Sequence, residues 1–159
     1  MTGPSVTCYL VRHGTAAPGA DDRARPLTPA GRSEALATAR ALATHGAAVA
    51  EIRHSGLARA RETAELLGEI LAPRHGVVAA TGLGPEDDPD VALAELGLAG
   101  ESLMLVGHLP HLARLAVALV GDVAGDRIAF APATAVGLRR RPDGWALELI
   151  VSPRAGAAS

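Results

Sequence analysis

The chain has 159 residues, 48% of them hydrophobic and 2% aromatic, which suits one domain whose core is filled by aliphatic side chains. A net charge of −2 argues against a general nucleic-acid binder. All 15 basic residues are arginine, which excludes a phosphate-binding loop ending in lysine and any Schiff-base lysine. The lone Cys8 and the short apolar runs predict a cytoplasmic protein without a membrane span.

The first half of the chain predicts two strands, each followed by a helix. Residues 6–11 form a short apolar, β-rich run that ends at Arg12-His13-Gly14. After a polar loop, Thr28 and Pro29 are typical of a helix start, and that helix is predicted to reach about His45. Residues 49–53 predict a second strand, and residues 57–71 carry apolar side chains at helical spacing.

The second half predicts the same alternation, closed by a hairpin. Residues 77–80 predict a short third strand, and the acidic loop 82–89 leads into a helix ending at Leu98. Residues 103–106 predict a fourth strand that runs into Gly107-His108, followed by an apolar helix over about 111–120. Residues 128–140 and 145–151, joined by a turn at 142–144, predict a β-hairpin.

This pattern predicts an α/β fold, a three-layer α/β/α sandwich around a mostly parallel central sheet. We expect one domain over residues 1–159, with a core at about 5–153 and a short flexible tail after Pro153. Cys8 is expected to be a small buried hydrophobe.

Three polar clusters follow three of the predicted strands: Arg12-His13-Gly14, His54-Ser55-Gly56 and Gly107-His108. Ligands of open α/β sheets collect at the carboxyl ends of the strands. Arg59 is placed in the first turn of the second helix, where free N–H groups already favour an anion. Two histidines and two arginines are therefore expected to converge at one sheet edge.

These residue types suit phosphoryl transfer. A nucleophilic His13 must be neutral, and the flanking arginines lower its pKa. Arg12 and Arg59 neutralise charge on the phosphoryl oxygens. Gly14 lets the backbone approach the anion, and His108 donates to a phosphoryl oxygen or acts on the leaving group.

The motifs also resemble a known family. They are residues 10–14 (LVRHG), residues 25–31 (RPLTPAG), the segment from Ser55 through Arg59 to Ala64, and residues 106–110 (VGHLP). In this order and spacing they resemble the histidine phosphatase superfamily, with its phosphoglycerate-mutase-like fold, and within it the phosphohistidine phosphatases of the SixA type. The resemblance implies that His13 is phosphorylated, that Arg12 and Arg59 bind phosphate, that His108 is a second pocket histidine, and that Arg25 is a further phosphate contact.

The predicted substrate follows from the absence of an evident acidic residue that could protonate the leaving group. Relatives with phosphomonoesterase activity carry an acidic proton donor on a longer insertion, whereas the segment between Leu71 and Ser102 leaves little room for a lid. The acidic residues there are Glu86, Asp87, Asp88 and Asp90, and a solvated loop at a helix start explains them. Imidazole is a better leaving group than an alkoxide, so we predict that the substrate is phosphohistidine on a protein.

Two alternatives remain beside this prediction: a small-molecule phosphomonoesterase on the same scaffold, and a phosphate-binding module without turnover. No cofactor is expected. No metal is expected either, because His108 and His111 have no acidic or cysteine partner at ligand spacing. His111 is expected to lie at the surface or just behind the site.

Overall fold

The computed structural model describes residues 5–153, so the tail predicted after Pro153 lies outside the described residues. The strands are β1 (Thr7–Arg12), β2 (Glu51–His54), β3 (Val77–Ala79), β4 (Leu103–Gly107), β5 (Ala135–Arg141) and β6 (Gly144–Val151). The helices are α1 (Pro29–Thr44), α2 (Ala58–Leu71), α3 (Pro89–Leu98), α4 (His111–Val120) and α5 (Asp122–Asp126), and a 3₁₀ turn covers Asp22–Ala24.

The six strands form one sheet in the order β3-β2-β4-β1-β5-β6. The first four strands along the chain pair in parallel, and the closing hairpin adds two antiparallel strands at one edge. This confirms the predicted three-layer α/β fold with a mostly parallel sheet. Since β1 and β4 are neighbours at the centre, the polar residues that follow them lie side by side.

Alternating side chains of the central strands fill two separate cores. On β1, Cys8 and Leu10 pack with α3 and α4, whereas Tyr9 and Val11 pack with α1 and α2. Strand β4 alternates in the same way. Period-2 alternation with apolar residues on both faces is what a sheet covered by helices on both sides requires. Cys8 is buried, as predicted.

The closing hairpin starts later than predicted, because residues 128–134 do not pair as a strand. Strand β5 begins only at Ala135. The Phe130 carbonyl accepts a hydrogen bond from Arg12 Nη1 (2.8 Å), and Ala133 N–H donates to the His13 carbonyl (3.2 Å). This segment is therefore held against the end of β1 instead of entering the ladder. Among residues 5–153, no helix is long and apolar enough to cross a membrane.

Candidate active site

The carboxyl ends of β1, β2 and β4 bring the three predicted clusters together. His13 N–H donates to the Gly107 carbonyl (3.1 Å), which joins the first cluster to the third. His54 lies opposite Val106 in the parallel ladder between β2 and β4. This arrangement brings the rings of His13 and His108 together. Their centroids lie 5.0 Å apart and their planes are tilted by 51°.

The His13 ring is held by its own loop. Nδ1 lies 2.7 Å from the Gly14 carbonyl oxygen. A carbonyl can only accept a hydrogen bond, so we assign the proton of the neutral ring to Nδ1. Nε2 then carries the lone pair, which is the form that a nucleophile requires.

Burial keeps the His13 ring neutral. It lowers the pKa of His13 to about 4, opposed by the hydrogen bond to the Gly14 carbonyl and assisted by the charges of Arg59, Arg12 and Arg25. The direction predicted from the flanking arginines is therefore right, but desolvation is the larger cause. At neutral pH the imidazole is uncharged.

Gly14 has a packing role that the sequence did not predict. A Cβ at this position would come within 2.6 Å of the Gly31 carbonyl oxygen in α1. The Gly14 N–H donates to Thr63 Oγ1 (3.0 Å), and Thr63 in turn donates to the Arg59 carbonyl (2.8 Å). Gly14 is therefore required by the close contact between its loop and α1, and its predicted contact with substrate stays a prediction.

Two of the predicted arginines share a carboxylate. The buried Arg59 donates from Nη1 to the Asp22 carbonyl (2.8 Å) and lies 3.3 Å from Asp22 Oδ2 through Nη2. Arg25 Nη1 lies 3.0 Å from the other oxygen, Oδ1, of Asp22. Arg25 Nε also donates to the Ala17 carbonyl (2.9 Å). The polar loop thus places Arg25 near Arg59, where its charge acts on His13.

Arg12 is half-buried at the end of β1. Its Nη1 is fixed by the Phe130 carbonyl, while its Nε is buried without a hydrogen-bond partner among residues 5–153. Burial lowers the pKa of Arg12, opposed by the charge of Glu34. Arginine keeps its proton at any physiological pH, so Arg12 is a permanent cation next to His13.

His108 is buried and its ring is oriented by Ser55. Ser55 Oγ lies 2.6 Å from His108 Nε2 and accepts a hydrogen bond from Leu57 N–H (3.3 Å). Burial lowers the pKa of His108 to about 3, assisted by the nearby His13 ring, which disfavours a second proton, and by the charge of Arg59. His108 is therefore a neutral ring at neutral pH, and the Ser55 contact was not predicted.

The acidic loop does not reach the site residues. Asp87 Oδ2 accepts from Gly84 N–H (2.7 Å), Asp88 caps α3, and the Glu86 side chain is 80% exposed. No hydrogen bond or ion pair within residues 5–153 joins this loop to His13, Arg12 or Arg59. The loop instead lines an open groove of about 720 Å³, and Ser55 and Arg23 line the same groove.

His111 is fully buried, so the surface position considered for it is wrong. Its place at the start of α4 directs it inward, beneath the acidic loop, where burial lowers its pKa and the charge of Asp87 opposes that shift.

The sequence did not predict that Asp22 and Thr63 contact the site residues Arg59 and Gly14. Thr63 follows Arg59 by four residues on α2, so helical spacing alone would have placed both side chains on one face.

We expect activity to be independent of divalent metal ions. Within the described part of the chain, no three His, Cys, Asp or Glu side chains are grouped closely enough to hold a metal ion, and arginines supply the positive charge. Turnover should survive exhaustive treatment with EDTA followed by desalting. A loss of activity that added Mg²⁺ or Zn²⁺ restores would contradict this expectation.

Known proteins share both the sequence pattern and the fold. Residues 8–84 match the model of the histidine phosphatase superfamily (branch 1). An uncharacterised protein of Picosynechococcus sp. is 36% identical over 138 residues, which are 82% of this chain and 83% of that protein. The fold resembles a proposed phosphohistidine phosphatase SixA from Nakamurella multipartitia, with a TM-score of 0.80 and 28% identity over 95% of this chain and 98% of that one. It also resembles the protein histidine phosphatase SixA complexed with tungstate, with a TM-score of 0.81 and 24% identity over 94% and 99% of the two chains.

Proposed function

This chain belongs to the histidine phosphatase superfamily, and from that premise we propose that it removes phosphoryl groups from phosphohistidine on a protein. The proposed intermediate is a phosphohistidine on His13. Family membership supports phosphatase activity, and the resemblance to proteins described as SixA phosphohistidine phosphatases supports the substrate class.

The first step is attack of His13 Nε2 on phosphorus. The contact between Nδ1 and the Gly14 carbonyl (2.7 Å) fixes the tautomer and supports the positive charge that the ring gains when it is phosphorylated. Arg12 and Arg59 are proposed to bind the phosphoryl oxygens, with Arg25 as a further contact, and His108 to donate to an oxygen of the same group. Water then hydrolyses the phosphorus–nitrogen bond to His13.

One observation carries the choice of substrate: the carboxylate that lies among the site arginines forms ion pairs with two of them, which favours its ionised form. Among residues 5–153, Asp22 is the acidic residue bonded to Arg59 and Arg25, and its hydrogen bond to Arg25 and the charge of Arg59 lower its pKa. An ionised carboxylate holds no proton to give to a departing alkoxide. The ring of phosphohistidine needs no proton donor at the breaking bond once its distal nitrogen is protonated, because it then leaves as neutral imidazole, whose conjugate acid has a pKa of about 6.5.

The open groove favours a substrate attached to a larger molecule. It adjoins the site through Ser55, which is bonded to His108. Its lining includes Arg23 of the 3₁₀ turn and residues of the acidic loop, and the groove is open to solvent, so a polypeptide that carries a phosphorylated side chain can approach it directly. A small phosphomonoester also fits such a groove, and a side-by-side assay of the two substrate classes separates them.

We expect phosphohistidine to be the better substrate in a side-by-side assay. The two substrates are a carrier protein phosphorylated on histidine with phosphoramidate, and para-nitrophenyl phosphate, with kcat/KM measured for both under the same conditions. The expected preference for phosphohistidine is at least about 100-fold, or about 2.7 kcal/mol in barrier. Preference for the ester would favour a small-molecule phosphomonoesterase, and phosphate binding without turnover of either substrate would favour a binding module.

A further inference from the structure

Asp22 is the exposed partner in a network of buried or half-buried cations. Its side chain is 63% exposed, whereas that of Arg59 is 7% exposed and that of Arg25 is 31% exposed. Each oxygen of the carboxylate contacts a different arginine, at 3.0 Å and 3.3 Å. The carboxylate is therefore held between the two arginines while one side of it stays open to solvent.

The charge of Asp22 reaches the reacting region. Burial, the nearby His13 and the charge of Arg59 lower the pKa of His108. The negative charge of Asp22 opposes this shift, so Asp22 lies close enough to act on the His108 ring. An anion at this position repels a phosphate dianion and attracts a cation. A phosphohistidine substrate offers such a cation, because the ring nitrogen that does not carry phosphorus can bind a proton. The leaving group of para-nitrophenyl phosphate has no basic nitrogen and so offers no corresponding cation.

From this geometry we infer that Asp22 determines substrate specificity by stabilising the protonated leaving ring of phosphohistidine. The inference rests on the proposed function and names the residue that selects its substrate class. Asp22 would accept a hydrogen bond from the distal N–H of the substrate ring while it keeps Arg59 and Arg25 in place.

The step balances without a proton donor from the protein. The substrate ring binds with its distal nitrogen already protonated by equilibrium with the solvent, as its pKa of about 6.5 allows near neutral pH, and Asp22 holds this cation. The bond from His13 Nε2 to phosphorus forms as the bond from phosphorus to the proximal nitrogen breaks, and the electron pair goes to that nitrogen. The substrate ring then leaves as neutral imidazole instead of the much more basic imidazolate.

The test compares two substrates in the Asp22→Asn variant. Loss of the charge should lower kcat/KM at least about tenfold for the histidine-phosphorylated carrier protein. The same change should lower kcat/KM for para-nitrophenyl phosphate by a clearly smaller factor, because that substrate loses only the positioning of Arg59 and Arg25 and has no ring cation for Asp22 to hold. The ratio of the two values is the decisive measurement.

Two further variants test whether the change in substrate preference comes from the charge of Asp22 or from disturbance of the 3₁₀ turn. Asp21→Asn removes a charge one residue earlier, where the side chain caps the 3₁₀ turn by accepting from the backbone Arg23 N–H and, within residues 5–153, pairs with no arginine side chain. This control should keep the wild-type ratio. Asp22→Glu retains the charge and should recover most of the ratio.

Equal losses on both substrates in Asp22→Asn would overturn the inference, since Asp22 would then act only by positioning the arginines. That outcome leaves the proposed function intact, because wild-type enzyme still hydrolyses phosphohistidine in the same experiment. A wild-type enzyme that does not hydrolyse phosphohistidine overturns both.

Discussion

The His13→Ala variant is expected to lose at least about 10⁴-fold in kcat/KM on every substrate that the wild type hydrolyses, since removal of a nucleophile eliminates the covalent route. His13 is the group whose Nε2 is unprotonated and lies among Arg12, Arg59 and Arg25. Circular dichroism of the variant separates this loss from any effect on folding, because the His13 ring also contacts the Gly14 carbonyl. Initial rates across a range of substrate concentrations measure it.

A chemical trap identifies the intermediate independently of the rate. Rapid quenching with ³²P-labelled substrate under alkaline conditions, which preserve phosphoramidates, should leave acid-labile label on the peptide that contains His13. His75→Ala is the matched control, because it removes an exposed imidazole far along the chain, and it should retain both rate and label. Full activity in His13→Ala, or label on another residue, would contradict the proposed mechanism.

The central part of the site was predictable because it depends on topology. Parallel strands present their carboxyl ends to one edge, so once residues 6–11 and 103–106 are identified as strands, His13 and His108 must approach each other. Helix α2 begins where the sequence predicts, so Arg59 lies in its first turn. These placements need only strand order and helix spacing.

The rim of the site was not predictable, because it depends on contacts between distant loops. The 3₁₀ turn at Asp22–Ala24 is positioned by Arg59, 37 residues away from Asp22 in sequence. Likewise, residues 128–134 have the composition of a strand, yet Arg12 and His13 hold this segment out of the ladder. Local propensity cannot report such tertiary contacts.

We expect the His108→Ala variant to lose about 10²–10³-fold in kcat on phosphohistidine, the range measured when one preorganised donor to a developing charge is removed. The neutral, buried ring lies with its centroid 5.0 Å from that of His13, and Ser55 fixes its orientation. Ser55→Ala should cost less, because the surrounding protein still restrains the His108 ring. Single-turnover rates for the two variants, with folding checked by circular dichroism, measure the difference.

Substitutions in the acidic loop should affect turnover much less than His108→Ala does. Amide variants of Glu86, Asp87, Asp88 and Asp90, singly and together, are expected to stay within about tenfold of wild type on phosphohistidine, or about 1.4 kcal/mol in barrier. The reason is that Asp87 and Asp88 are used within their own loop, and Glu86 is solvated. If one amide variant folds and still loses 100-fold or more, that carboxyl group is the proton donor, and an alkyl ester becomes the better candidate for the substrate.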